Sequence, residues 1–311
     1  MRKTAFIFPG QGSQYVGMGR ELAENFSAAA EVFSKADKVL KKSISYYCFE
    51  GPEEKLKDTV ITQPAVLTVS MAVFELLKGE GIEPDYVAGH SLGEYTALVA
   101  SGAMDFEDAL KLVVKRAQWM SEAVPAGEGA MAAVIGLDAE KVEKICSEAS
   151  NEGVVEPANY NCPGQIVVSG HTRAVHKAME LAKEAGAKRA VLLPVSGPFH
   201  SKLMKPVEEK LKKALENVEI RKPKYEFLAN VTASFTASPQ EIKNLLIKQV
   251  SSPVLWQKII ENLINIKVNV FVEVGPGKVL SGLVKRIDRN VTILNVEDEK
   301  SFSSVRDFLK E

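Results

Sequence analysis

The stretch Tyr86-Val87-Ala88-Gly89-His90-Ser91-Leu92-Gly93-Glu94 decides how this chain is read. A short apolar run stops at Gly89, G-x-S-x-G follows, and Glu94 to Ala100 then has the composition of a helix. In a strand–turn–helix setting this motif describes a nucleophile elbow, which lifts a serine hydroxyl above the end of a sheet. Glycine on either side leaves room in a turn too tight for neighbouring Cβ atoms. The helix beginning just after Ser91 aims unpaired N–H groups at any oxyanion formed on an attacked carbonyl. Ser91 is therefore the candidate nucleophile, set against the plainer reading of a tight structural turn.

On both sides of the elbow, short apolar runs alternate with helical patterns, which predicts an α/β fold with a mostly parallel, helix-covered sheet. Thr4 to Phe8 reads as a buried strand entering the loop Pro9-Gly10-Gln11-Gly12-Ser13. The glycine spacing there does not fit a dinucleotide fingerprint. The loop is expected either to need positive φ angles or to bring its backbone close to a ligand. Pro64 to Gly79 is predicted as a helix starting near Thr62 or Gln63. Asp105 to Glu122 is predicted as another, with Asp105 as N-cap and Phe106, Leu110, Val113, Val114, Ala117 and Met120 on its apolar side. Arg116 falls between the faces, and periodicity alone reads it as a solvated charge on a packed stem.

After the linker Pro125 to Gly129 the pattern changes. Strands at Ala130–Gly136, Gly153–Asn159, Gln165–Ser169 and Lys188–Pro194 alternate with helices at Asp138–Ala149 and Thr172–Ala185. The order β-α-β-β-α-β is ferredoxin-like. Residues 127–195 are thus expected as an insertion into a large domain of residues 1–126 and 196–311, with a ligand cleft between them. The large domain resumes through Gly197-Pro198-Phe199-His200-Ser201 and a helix carrying Leu203, Met204, Val207, Leu211 and Leu215. Further strands are expected at Tyr225–Ala229, Val268–Val274 and Ile293–Val296.

The composition is that of an ordinary globular chain: 311 residues, 46% hydrophobic and 25% charged. A net charge of −1 provides no basic field for nucleic acid. The three cysteines, Cys48, Cys146 and Cys162, are too scattered for a disulfide framework or a metal site. They suit a reducing cytosol. No run is read as approaching the ~18 apolar residues of a membrane span, and Ala5 to Phe8 is too short for a signal-peptide core. The expectation is a cytoplasmic protein without a metal or a membrane partner.

A serine hydroxyl needs a base. Of the four histidines, His90 sits in the turn with its side chain expected to point away from the hydroxyl. His171 and His176 fall in the insertion, and His176 reads as surface. His200, in a Gly-Pro loop where the chain rejoins the large domain, is the best candidate. No Asp or Glu between Ser91 and His200 follows a convincing strand of the parent sheet, and a Ser–His dyad can work without an acid if a carbonyl accepts from the other ring nitrogen.

The motifs at Phe8–Gln14, Gly89–Glu94, Lys115–Met120, Gly197–Ser201 and Glu273–Gly277 occur in order along nearly the whole chain. Together they resemble the malonyl-CoA:acyl carrier protein transacylases of type II fatty acid synthesis. The resemblance implies an α/β-hydrolase-like core with the inserted ferredoxin-like unit. It further implies Ser91 as the malonyl-bearing nucleophile and His200 as base, with Gln11 and Leu92 N–H groups as oxyanion hole. Arg116 would clamp the malonyl carboxylate, the Gln249 main-chain carbonyl would orient His200, Phe199 would limit space beside the malonyl α-carbon, and Asn161 would line the cleft. Malonyl-CoA is the implied substrate, no cofactor is implied, and acyl carrier protein is the acidic partner. Lys188-Arg189 and Lys285-Arg286 are candidates for meeting it. The competing readings are a serine thioesterase, which would deliver the acyl group to water, and a non-catalytic carrier-docking module.

Overall fold

The computed structural model describes residues 2–195 and 197–311. Among them run nine strands: β1 (Thr4–Phe8), β2 (Tyr86–Gly89), β3 (Gly129–Ile135), β4 (Val155–Cys162), β5 (Gln165–His171), β6 (Arg189–Leu192), β7 (Glu226–Phe227), β8 (Val270–Val274) and β9 (Thr292–Val296). They form two sheets. The first has the order β7-β2-β1-β8-β9 and is parallel throughout. Every residue of β1 is buried, as a parallel strand covered on both faces requires.

In chain order the strands of this sheet lie third, second, first, fourth, fifth, so the winding direction reverses beside β1. A doubly wound sheet opens its crevice at such a reversal, beyond the carboxyl ends of the strands. Phe8 pairs with Gly89, so the Gln11 loop and the Ser91 elbow leave the sheet side by side.

The elbow's glycines answer to backbone packing more than to φ. A Cβ on Gly89 would lie 1.9 Å from the Gly93 carbonyl carbon, and one on Gly93 would lie 2.0 Å from the Phe8 carbonyl oxygen. Ser91 itself takes the unusual backbone, with φ 52° and ψ −102°. Such a conformation costs on the order of 1–3 kcal/mol for a non-glycine residue and is held by its surroundings.

The helix Thr59–Gly79 differs from expectation at its start, which lies before Pro64. Ile61 and Thr62 N–H groups both bond the Asp58 carbonyl, at 2.7 and 2.8 Å, so the first turns form ahead of the proline. With a mean hydropathy of 1.7, this helix is long and apolar enough to cross a membrane, which corrects the sequence reading. Yet 89% of its apolar window is buried in the protein. It is a core helix, apolar all round because neighbours surround it, namely the helices Ser27–Leu40, Leu92–Ala100 and Phe106–Ser121.

The second sheet, β4-β5-β3-β6, is antiparallel. The helices Ala139–Ala149 and Thr172–Glu184 pack on it around Val134, Val142, Val168 and Val175, giving the β-α-β-β-α-β order. The second sheet is tied through β4 to the segment ahead of the helix Trp256–Asn265, because Tyr160 N–H donates to the Val254 carbonyl at 3.0 Å and Val254 N–H donates to the Ala158 carbonyl at 2.8 Å. Arg286 reaches across to Gln165 at 2.6 Å. The expected resumption point of the large domain, Ser196, lies outside the described residues.

Elsewhere the differences are local. Only Glu226–Phe227 of the expected Tyr225–Ala229 strand pairs with β2, because the chain then turns into a bridge between Leu228 and Phe235. Asp105 occupies the N-cap position, but its carboxylate pairs with Arg221 instead of capping the helix.

Gly93→Ala is expected to destabilise the fold by about 3 kcal/mol or more, because neither β1 nor the elbow helix can retreat from the added methyl. Urea unfolding checks this; a loss under about 0.5 kcal/mol would contradict the close-approach account.

Candidate active site

The elbow, the loop at His200, the helix Phe106–Ser121 and the end of the helix Pro239–Gln249 meet at one point. Ser91 Oγ lies 2.7 Å from His200 Nε2. His200 Nδ1 lies 2.8 Å from the Gln249 main-chain oxygen. An N–H on Nδ1 donating to that carbonyl leaves Nε2 free to accept the serine proton, which is the tautomer a base requires. The carbonyl is available because Gln249 is the last residue of its helix, started by a Ser238 cap and Pro239. The final carbonyls of a helix have no intrahelical donor and carry the negative end of its dipole. A helix terminus thus stands where a carboxylate orients the histidine in Ser-His-Asp triads.

His200 is itself fixed, with φ 60° and its N–H bonded to the Val250 carbonyl at 3.0 Å. Burial, and next the positive charge of Arg116, depress its pKa to about 3. The imidazole is therefore neutral, and competent as a base, across the whole physiological range.

Arg116 is fully buried, at 0% exposure. It lies on the same helix face as Leu112, Val113 and Met120, which replaces the solvated reading drawn from periodicity. Its Nη1 donates to Gln63 Oε1 at 2.6 Å. Its Nη2 donates to Gln249 Oε1 at 2.8 Å and to Ser91 Oγ at 3.0 Å. Tyr95 presents its ring to the guanidinium, 5.3 Å from the centroid. Nε has no acceptor among the described residues. A guanidinium has five N–H donors and stays charged even where burial lowers its pKa. This one is buried at a serine hydroxyl, held by neutral amides, with donor capacity remaining.

The pocket over Ser91 is lined by Gln11, Gln63 and Leu92, by Met131 and Asn159 of the second sheet, and by Leu193, Phe199 and His200. Leu92 is the first residue of the helix Leu92–Ala100, so its N–H has no intrahelical acceptor. Gln11 follows β1 in a turn, and its side chain bonds Thr59 at 3.1 Å. Phe199 is 5% exposed and faces the pocket.

Asn161 is placed differently. Its Oδ1 lies 2.9 Å from His90 Nε2, and the His90 ring tilts against Trp256, so this pair braces the elbow from beside the pocket. Asn159, two residues earlier on β4, lines the pocket instead. Sequence reasoning also passed over Gln63, Asn230 and Glu94. Asn230 clamps the turn, since it accepts from Ser91 N–H at 2.8 Å and donates to the Gly89 carbonyl at 2.6 Å.

Residues 5–305 match the family described as acyl transferase domain. The chain belongs to that family. This acyltransferase is 51% identical over its full length to the malonyl CoA-acyl carrier protein transacylase of Bacillus subtilis strain 168, covering 98% of that protein. A solved acyl carrier protein S-malonyltransferase from Vibrio cholerae O1 biovar eltor superposes with a TM-score of 0.95 at 45% identity, covering 97% of this chain and 99% of that one. A malonyl-transacylase solved in complex with a type II PKS acyl-carrier protein has a TM-score of 0.96 at 41% identity, covering 98% of this chain and 99% of that one.

Because His200 is neutral down to about pH 3, acylation of Ser91 by acetyl-CoA, a probe without the second carboxylate, should be flat from pH 8 to about pH 5.5. Rapid-quench acylation rates check this; a tenfold fall centred near the usual histidine value of about 6.5 would contradict it.

Proposed function

We propose that this acyltransferase moves a malonyl group from malonyl-CoA to the phosphopantetheine thiol of acyl carrier protein through a malonyl ester on Ser91, supplying fatty acid synthesis. The observation that carries the reading is the fully buried Arg116 within 3.0 Å of the serine hydroxyl. A guanidinium there pairs bidentately with a carboxylate on the bound acyl group and orients it. A simple acyl group offers that guanidinium no carboxylate to pair with.

In the first half-reaction Ser91 Oγ attacks the thioester carbonyl while its proton passes to His200 Nε2. Gln11 and Leu92 N–H groups receive the oxyanion; one such donor is typically worth about 10²–10³ in rate. The C–S bond breaks, and the CoA sulfur leaves with the proton from His200. In the second half-reaction the carrier thiol gives its proton to His200, its sulfur attacks the ester, and Ser91 Oγ leaves with that proton. The imidazolium formed midway faces the Gln249 carbonyl at a helix C-terminus, which favours positive charge. Phe199 narrows the space beside the α-carbon and disfavours a branched acyl group.

Residues 127–195 form the inserted subdomain of this proposal and close one wall of the cleft. The exposed pairs Lys188-Arg189 and Lys285-Arg286 offer positive charge to an acidic carrier. The scheme uses groups of the chain and its two thiol substrates, in the cytoplasm, and calls on neither nucleic acid nor a membrane.

Arg116→Ala is expected to lower malonyl transfer by about 10²-fold or more while sparing acetyl transfer. Steady-state kcat/KM for the two CoA thioesters measures it, and equal losses for both would remove the clamp. His200→Ala should abolish acylation of Ser91, whereas normal acylation kinetics in that variant would assign the base elsewhere.

A further inference from the structure

Beneath the elbow lies a carboxyl that the scheme above does not use. Glu94, in the first turn of the elbow helix, is 1% exposed. Its Oε1 accepts from Asn230 N–H at 3.2 Å, and its Oε2 accepts a short bond from Gln249 Nε2. The same Nε2 donates to the Ser91 carbonyl at 2.8 Å. On its other end, Gln249 Oε1 accepts from Arg116 Nη2 at 2.8 Å.

A side-chain amide can be turned over at little cost where its surroundings do not tell oxygen from nitrogen. Here they do. Arg116 can only donate, while the Ser91 carbonyl and an ionised Glu94 can only accept. Turning the Gln249 amide over would set NH₂ against guanidinium and oxygen against carboxylate among side chains buried from solvent. Glu94 also acts electrostatically on Arg116, favouring its charged form. Burial pushes its carboxyl up to about 7, opposed by the bonds from Gln249 and Asn230 and by the positive charge of Arg116.

We propose that Glu94 is a positioning residue for acyl-group selection: its carboxylate locks the Gln249 side-chain amide in the orientation that aims Arg116 at the substrate carboxylate. The proposal rests on the reading of Arg116 as the carboxylate clamp. A glutamine at 94 keeps the shape but has one oxygen for two donors, the Gln249 amide and the Asn230 N–H. Its own NH₂ then faces one of them, and the lock is lost.

The test is a double-mutant cycle on the full chain, comparing wild type, Glu94→Gln, Arg116→Ala and the double variant by kcat/KM for Ser91 acylation from malonyl-CoA and from acetyl-CoA. Glu94→Gln should lower the malonyl value about tenfold or more and the acetyl value less than about threefold, and it should add nothing once Arg116 is alanine. Equal losses for the two substrates, no loss, or a full additional loss in the Arg116→Ala background would overturn the proposal. Failure of Arg116→Ala itself to discriminate would instead overturn the clamp on which it rests, so the two failures are separable. Should Glu94→Gln not accumulate as folded protein, Glu94→Asp keeps the carboxylate and shortens its reach. It should give the same malonyl-selective loss in smaller measure, and equal losses for both substrates would again overturn the assignment.

Discussion

Gln249 is bonded at both its backbone and its side chain, and the site depends on that double attachment. Its main-chain oxygen faces His200 Nδ1, its side-chain oxygen holds Arg116, and its side-chain nitrogen ties the Ser91 carbonyl and Glu94. One residue at the end of one helix thus sets the base, the guanidinium and the nucleophile turn relative to one another. The helix terminus makes this possible, since only there is a backbone carbonyl free to accept from outside the helix.

The same residue links the geometry to chemistry without a third acidic group near the histidine. A carbonyl accepts the Nδ1 proton and so selects the tautomer, while the helix dipole favours the transient imidazolium by about 0.3–2 kcal/mol. A full carboxylate beside His200 would raise its depressed basicity and would also compete for Arg116. With an uncharged acceptor the buried cation stays available to an anion brought by the substrate. The crowding of backbone at Gly89, Gly93 and Phe8 then keeps Ser91 Oγ at 2.7 Å from Nε2.

Much of this was legible in the residues, unevenly and for physical reasons. The elbow was readable because tight backbone packing demands glycines and leaves a motif. The two sheets were readable because alternation of strands and helices differs between a doubly wound unit and a ferredoxin-like one. His200 could be picked out by its Gly-Pro setting. Arg116 could not be assigned from spacing, since periodicity treats any charge as solvent-facing and this one sits inside its helix's apolar face; only the family resemblance singled it out. Gln63, Asn159, Asn230 and the function of Glu94 left no pattern, because neutral amides and a lone carboxylate acquire meaning from partners distant in sequence. Asn161 shows the converse: the right strand was chosen, but register shifts along β4 break the simple alternation, and Asn159 lines the pocket while Asn161 meets His90. The early start of the helix at Thr59 was hidden by Pro64, whose usual place is a first turn.

In the proposed reaction this site holds malonyl on Ser91 between two thiols and withholds it from water. Intact-mass spectrometry of the wild-type protein after malonyl-CoA, without and then with holo acyl carrier protein, tests it most directly. One malonyl group per chain is expected, persisting for many turnover times without acceptor and discharged onto the carrier when it is added. Rapid release of free malonate in the absence of any thiol acceptor, or a chain that never gains the malonyl mass, would contradict it.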